Sequence, residues 1–321
     1  MNIKYIATRF LSKLVGNELM KHTQWYRSMF VDPDLELYPG NSWYRKHLER
    51  NFDIVCLGSS SAKWAYDFSG LDVKGMNWAQ QPQTLLEDFN LLRNYHSILR
   101  KGGFVVITIM PFTGLNKKTG LMDALKYLKL DAQEPIEPNN LEQAWRYTKY
   151  PFLFRKHAFK ALAKYVLGRE TVYLDRRPMA ENNPMDERAL DLDALMWMNG
   201  WKNQFAIDDF EAPLTEENLK GREFRINLLR QIIDFCVERD YVPIYVIPPV
   251  TQQLYRYFTP QFQQLYIYTF LSDVGREVKL LDYSKCKELM DKDFYFNSFF
   301  LNKKGRSAFT LRLLEDLGFG K

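Results

Sequence analysis

The chain contains little cysteine and little histidine. Three of its 321 residues are cysteines and four are histidines. Three cysteines in apolar surroundings do not make a disulfide framework, and we expect buried thiols. The histidines lie far apart in the sequence and lack the spacing of metal ligands. The sequence therefore predicts no disulfide framework, no metal site and no cofactor. The residues concerned are Cys56, Cys236, Cys286, His22, His47, His96 and His157.

Long apolar runs and a strong net charge are also missing. The apolar stretch 104–112 has only about half of the roughly 20 residues that a membrane-spanning helix needs, so we interpret it as a core strand. Residues 1–22 lack the continuous apolar segment of a secretory signal. The formal net charge is only +5, which does not indicate a nucleic-acid-binding protein. These absences favour a cytoplasmic protein that binds no nucleic acid.

The N-terminal residues 1–22 nevertheless carry an amphipathic pattern. Apolar residues recur there at helical spacing, and basic residues stand between them. Such a helix suits contact with a membrane surface. A terminal helix docked on the rest of the protein is the interpretation that we favour, and peripheral membrane contact stays the alternative. The apolar residues are Ile3, Ile6, Phe10, Leu14 and Val15, and the basic ones are Lys4, Arg9 and Lys13.

Short apolar runs alternate along the chain with amphipathic helical patterns. The alternation predicts right-handed crossovers and a parallel sheet with helices on both faces. We therefore predict an α/β fold, a three-layer α/β/α sandwich with a five-stranded parallel sheet of the flavodoxin-like type. The predicted strands are 53–58, 73–79, 104–110, 241–247 and 278–282. The predicted helices are 83–99, ended by the glycines of 101–103, and 217–238, 252–274 and 304–317.

The segment between the third and fourth predicted strands, residues 113–220, is far too long for an ordinary loop. We predict a large, mostly helical cap inserted into an α/β domain of residues 51–321, with residues 1–50 packed on that domain. Basic and aromatic residues alternate over 142–169, and acidic residues prevail over 171–220. We expect the two halves to neutralise each other. A saccharide or an anion resting on the aromatic side chains stays an alternative.

A glycine and three serines, Gly58 and residues 59–61, directly follow the first predicted strand. In open parallel sheets, ligands bind outside the carboxyl ends of the strands. A serine at such a turn can present its hydroxyl group to a substrate and its backbone N–H to a developing oxyanion, as in acyl transfer. The same serines can instead cap the following helix. Both interpretations stay open.

Residues 50–112 and 222–321 resemble the SGNH hydrolase (GDSL-like) superfamily, particularly its members in bacterial cell-surface polysaccharide and O-acylation systems. Gly58-Ser59-Ser60 stands where that family has Gly-Asp-Ser, so the resemblance places the nucleophile position at Ser60. The segment 77–88 resembles the second family block, with Ala79 and Pro82 in place of its glycines. The resemblance makes the following residues candidates for the pocket and the oxyanion site: Ser59, Ser61, Ala79, Gln81 and Asn116.

The segment 297–305 resembles the last family block, Asp-x-x-His-Leu-Asn-x-x-Gly. Asn297 replaces its aspartate and Phe300 its histidine, so both catalytic partners of the serine are absent. Loss of a triad base costs on the order of 10⁶ in turnover. The resemblance therefore implies a degenerate hydrolase that binds a saccharide or acyl ester in bacterial cell-envelope polysaccharide metabolism.

Two alternatives stay open. The first is an active carbohydrate O-acyl esterase or acyltransferase that uses Ser60 with a substitute base, for which His157 in the insertion is the candidate. His96 lies on an apolar helix face, and we interpret it as a hydrogen-bonded core histidine. The second alternative is a peripheral membrane scaffold that attaches through residues 1–22 and 142–169 to anionic lipid.

Overall fold

The computed structural model describes residues 50–80, 83–115, 156–170 and 185–319, together with positions 3, 6, 7, 10, 19, 20, 22 and 23. The chain divides into two compact units. The N-terminal unit comprises Met1–Lys46 and Lys118–Asp175, and the sheet unit comprises His47–Lys117 and Arg176–Lys321. Residues of the predicted insertion 113–220 therefore occur in both units.

The sheet unit contains five parallel strands, which confirms the predicted fold class. They are β1 (Phe52–Leu57), β2 (Gly75–Asn77), β3 (Leu99–Thr108), β4 (Val242–Ile247) and β5 (Lys279–Asp282). Their order in the sheet is β2-β1-β3-β4-β5. In this flavodoxin-like order the chain winds away in opposite directions from β1 and β3, and the crevice at that point is the usual ligand site.

Helices connect the strands. The described helices are α1 (Ser60–Lys63), α2 (Leu85–Tyr95), α3 (Lys156–Val166), α4 (Glu187–Phe205), α5 (Glu216–Val237), α6 (Gln252–Tyr255), α7 (Pro260–Gln263), α8 (Thr269–Val274) and α9 (Lys303–Asp316). Among the described residues, no helix has both the length and the apolar character to cross a membrane.

Side chains at the helix starts explain where the main helices begin. Thr84 precedes α2 and forms a capping box with Glu87, whose carboxylate accepts the Thr84 N–H at 2.8 Å. Asn302 precedes α9, and its Oδ1 accepts the N–H of Gly305 at 2.9 Å. These bonds satisfy N–H groups that have no partner within the helix.

The sheet is covered on both faces. Alternate strand residues, such as Ile54 and Val106, pack with Phe309 of α9 in one buried cluster. Residues of the other parity, such as Val55 and Ile107, are fully buried as well. Helices α2 and α5 pack on each other, and α5 packs on β4. The sheet unit is therefore a three-layer α/β/α sandwich.

Two predicted helices differ from the observed ones, one in its end and one by an interruption. The helix predicted over 83–99 ends at Tyr95, and the glycines expected to terminate it lie inside β3, where Gly102 has φ +69° and donates its N–H to the Asp240 carbonyl. The helix predicted over 252–274 is broken before Pro260, which begins α7 and is capped by Thr259. Proline has no N–H and its ring clashes with the preceding turn, so it cannot continue a helix.

Candidate functional site

The turn after β1 requires a glycine. Gly58 has φ +138°, and a Cβ atom there would lie 2.8 Å from the Cβ of Ala62 and 2.9 Å from the Cβ of Thr108. Both the backbone conformation and the lack of space exclude a larger residue. The turn brings the end of β1 against the end of β3 and starts α1 at Ser60.

The three serines of this turn differ in their surroundings. Ser59 is at the cap position of α1 but does not cap it, because its Oγ accepts the N–H of Gln83 at 3.1 Å. Ser60 is half-buried, and its hydroxyl group has no hydrogen-bond partner among the described residues. Ser61 is buried. For Ser59, the helix-capping interpretation is therefore wrong.

A buried carboxyl group holds the serine turn. The Oδ1 atom of Asp88, in α2, accepts the Gly58 N–H at 2.9 Å and the Gln83 Nε2–H at 2.6 Å. Burial raises the pKa of Asp88 from 3.8 to about 7, although the Gln83 hydrogen bond opposes the shift. Sequence reasoning missed this residue, since an acidic side chain in the first turn of a helix normally signals capping.

Residues of the second family block, 77–88, also contact the segment that follows the serine turn. Asn77 donates its Nδ2–H to the Ala62 carbonyl at 2.9 Å, and its Oδ1 accepts the N–H of Ala79 at 3.0 Å. Ala79 is fully buried. The backbone N–H of this oxyanion candidate is therefore already engaged. The candidates Gln81 and Asn116 lie outside the described residues.

The last family block, residues 297–305, contains a tight turn and a buried aromatic ring. The Oδ1 of Asn297 accepts the N–H groups of Phe299 at 2.9 Å and Phe300 at 2.7 Å, which closes a tight turn. The Phe300 ring is buried, with centroid distances of 4.7 Å to Phe299, 5.3 Å to Trp197 and 6.1 Å to Trp64. The Asn297 amide is neutral and cannot act as the carboxylate of a triad. The Phe300 ring cannot act as the base.

The last block is also tied to α4, which the sequence assigned to the insertion. The carboxylate of Asp193 accepts both the N–H of Ser298, at 2.9 Å, and its hydroxyl group. Ser298 is fully buried. Hydrogen bonds to a carboxylate are stronger than bonds between neutral groups. Helix α4 therefore helps to fix the loop that carries Asn297 and Phe300.

The histidines do not supply a base in the described part of the sheet unit. His96 lies before β3, at the end of the strand opposite to the serine turn, and its Nδ1 is 3.1 Å from the Tyr241 hydroxyl. Burial lowers its pKa. This confirms the predicted hydrogen bond, but His96 is only partly buried and is not a core residue. The backbone of His157 lies in α3 of the N-terminal unit, and its side chain is outside the described residues.

A shallow groove opens at the carboxyl ends of β1, β3 and β4. Its walls are mostly apolar and approach each other closely, so it is a groove rather than a chamber. It brings together the serine turn, the loop after β4 and the 297–305 loop. The lining residues are Ser61, Trp64, Ala65, Met110, Pro248, Pro249, Val250, Phe299 and Leu301.

The three cysteines are free thiols, and the described residues contain no cluster of metal-ligating side chains. Cys56 and Cys236 are buried free thiols, as predicted, and burial raises the pKa of both. Cys286 is only partly buried, and its thiol donates to Glu288 at 3.1 Å. In the described ranges, no group of three His, Cys, Asp or Glu side chains is arranged to hold a metal ion.

Together, the fold and the site define an α/β sandwich with a serine turn at the point where the winding direction of the sheet changes. No protein-family model matches the chain, and a search of curated proteins finds no significant match. The resemblance to SGNH hydrolases therefore rests on the motifs of this chain alone and stays a prediction.

Proposed function

We propose that this chain is a cytoplasmic, SGNH-hydrolase-like binding protein of bacterial cell-envelope polysaccharide metabolism. It binds a saccharide or an acyl ester at the serine turn and does not hydrolyse it through a triad. The observation that carries the proposal is the position of Phe300. The residue that replaces the catalytic histidine of the resembling family is packed against Trp64 and Trp197 and cannot accept a proton.

The chemistry of Ser60 supports binding over hydrolysis. A serine hydroxyl is a weak nucleophile unless a neighbouring base removes its proton. Ser60 has no hydrogen-bond partner among the described residues, and the neutral side chain of Asn297 is engaged with two backbone N–H groups. The contribution that we propose for Ser60 is therefore to bind and orient a ligand through its hydroxyl group.

The composition of the site suits the proposed ligand class. Ligand sites are typically apolar clefts with a few polar groups that fix orientation. Here the apolar groove contains the rings of Trp64 and Phe299, and the hydroxyl-bearing Ser61 lies in its wall. The aromatic rings and the serine hydroxyl group offer apolar and polar contacts to a sugar or a short acyl chain at the mouth of the groove.

A hydrolysis assay tests the absence of triad chemistry. p-Nitrophenyl acetate turnover is measured for the wild-type protein, for Ser60→Ala and for the control Ser69→Ala, which changes an exposed serine. We expect equal background rates for all three. A rate lost specifically in Ser60→Ala overturns the proposal. If that rate is also lost in His157→Ala, the alternative of an active esterase with His157 as its base is supported instead.

A binding assay tests the other half of the proposal. O-acetylated oligosaccharides and their deacetylated counterparts are titrated calorimetrically into the wild-type protein and into Trp64→Leu, with Trp25→Leu, a tryptophan outside the described residues, as a comparison. We expect binding by the wild-type protein and a loss of about two- to tenfold in Trp64→Leu, because aromatic contacts contribute about 0.5–1.5 kcal/mol beyond the buried area. The absence of binding to every member of the panel contradicts the proposal.

A further inference from the structure

Helix α3 of the N-terminal unit carries its large apolar side chains on the outside. Val166 is 68% exposed and the adjoining Leu167 is 64% exposed. The buried side of the helix is formed by the small residues Ala158 and Ala161. In a helix that merely docks on a core, the larger apolar residues normally face inward. In α3, Phe159 is 45% exposed and Val166 is still more exposed, whereas Leu162 is only partly buried.

Basic residues lie beside this apolar surface. Lys160 and Lys164 are exposed and follow each other at i, i+4, so they form a row along the same side of the helix. Arg169 is also exposed just after the helix. Between Lys156 and Arg169 the sequence has four basic residues and no acidic one. The outer surface of α3 thus combines aliphatic side chains with a positive charge.

A second amphipathic segment occurs in the same unit. Ile3 is 82% exposed, Ile6 47% and Phe10 62%, and these helical positions follow the i, i+3, i+7 spacing of a single stripe. In the sequence, Lys4 and Arg9 stand between them. The N-terminal unit therefore contains an exposed apolar stripe at residues 3–10 and an exposed apolar surface on α3, each accompanied by basic residues.

We propose that the N-terminal unit binds the surface of an anionic lipid bilayer through the outer side of α3, with Val166 and Leu167 entering the interface and Lys160 and Lys164 contacting anionic headgroups. Aliphatic side chains leave water only when they enter an apolar phase, which a bilayer offers and a nucleic acid does not. Lysine side chains can lie along that boundary and keep their charge in the headgroup layer.

Vesicle sedimentation with the full chain tests this proposal. Vesicles of phosphatidylcholine alone are compared with vesicles that contain about 30% phosphatidylserine. The wild-type protein should sediment with the anionic vesicles and much less with the neutral ones, and added salt should release it. No retention by anionic vesicles, or equal retention by both kinds, overturns the proposal.

Variants locate the contact. Val166→Glu with Leu167→Glu, and separately Lys160→Glu with Lys164→Glu, should each weaken anionic-vesicle binding at least about tenfold, since both the apolar and the electrostatic contributions are needed. The matched control is Leu192→Glu with Met196→Glu, which replaces two exposed apolar residues of α4, 57% and 71% exposed, with the same charges. An equal loss in the control overturns the assignment to α3. Because all these positions are exposed, circular dichroism should show unchanged folding.

Discussion

The backbone N–H of Gly58 donates a hydrogen bond to the Oδ1 of Asp88 at 2.9 Å, and both groups are buried. This bond joins the turn after β1 to helix α2. The same oxygen accepts the Gln83 side chain at 2.6 Å, so one carboxyl group organises both loops that flank Ser59. Since burial raises the pKa of Asp88 to about 7, this carboxyl group changes its charge near neutral pH.

The raised pKa of Asp88 predicts a specific pH dependence of stability. The folded protein keeps the Asp88 proton up to about pH 7, whereas the unfolded chain loses it near the ordinary value of 3.8. The folded state thus binds more protons between these values, and the free energy of unfolding falls as pH rises through this window, by up to about 4 kcal/mol. Below and above the window the contribution is constant.

Asp88→Asn isolates this effect, because its carbonyl oxygen can still accept the Gly58 N–H and it carries no charge. Urea unfolding of both proteins is followed from about pH 4 to about pH 8. The two should be similarly stable at the acid end, and the variant should become the more stable one towards the alkaline end. Parallel profiles of the two proteins contradict the raised pKa of Asp88.

The steric demand at Gly58 predicts a large effect of a single methyl group. Gly58→Ala places a Cβ at 2.8 Å from the Cβ of Ala62 in a backbone conformation with positive φ. We expect a loss of about 2 kcal/mol or more in the free energy of unfolding, from strain and overpacking together. Gly70→Ala is the control, since Gly70 also has positive φ but nothing lies within 4 Å.

Gly70→Ala should cost only about 1 kcal/mol, the conformational part alone. Urea unfolding at a single pH is sufficient for the comparison. If the two substitutions have the same cost, crowding between the ends of β1 and β3 is not what requires glycine at position 58.

The sequence predicts the sheet well because its strands are short apolar runs that stop at glycine or proline, as at Gly58 and Pro248. The site is only partly predictable. That the serine turn and the 297–305 loop belong to one edge follows from parallel topology. The role of Asp88 does not follow from the sequence. Its partner Gly58 lies 30 positions away, and the desolvation of the Asp88 carboxyl group depends on tertiary packing. The end of α2 was also predicted wrongly. Gly102, which was expected to terminate this helix, lies in β3, where its N–H donates to the Asp240 carbonyl.

The two residues that replace the catalytic pair of the family should respond differently to restoration. An aspartate at position 297 can accept the same N–H groups of Phe299 and Phe300 as the asparagine does. Asn297→Asp should therefore change the free energy of unfolding by less than about 1 kcal/mol. Phe300→His replaces a buried ring in an aromatic cluster with a smaller polar one and should cost about 2–4 kcal/mol.

Thermal and urea unfolding of the single variants check this difference, and Phe300→Leu serves as the control that keeps the site apolar. We expect Phe300→Leu to cost less than Phe300→His. A histidine that is tolerated as well as leucine means that a polar partner for its nitrogens exists beside position 300. Such a result weakens the proposal that this site binds a ligand without triad chemistry.

Two glutamines on the loop after β2 should show opposite effects when they become apolar. Gln80 is 1% exposed, and neither atom of its amide group has a hydrogen-bond partner in the described part of the chain. An unpaired buried polar group costs about 1–3 kcal/mol, so Gln80→Met, which keeps the length of the side chain, should raise the free energy of unfolding by about 1 kcal/mol or more.

Gln83→Met is the counterpart, because the Gln83 amide donates to Asp88 at 2.6 Å. Removing that donor leaves a buried carboxyl group with one partner fewer, and we expect a loss of about 1–3 kcal/mol. Urea unfolding of both variants is the measurement. If Gln80→Met destabilises the protein as Gln83→Met does, the Gln80 amide is satisfied in solution by a buried water, by a ligand or by a group outside the described residues, since no group within them accepts or donates there.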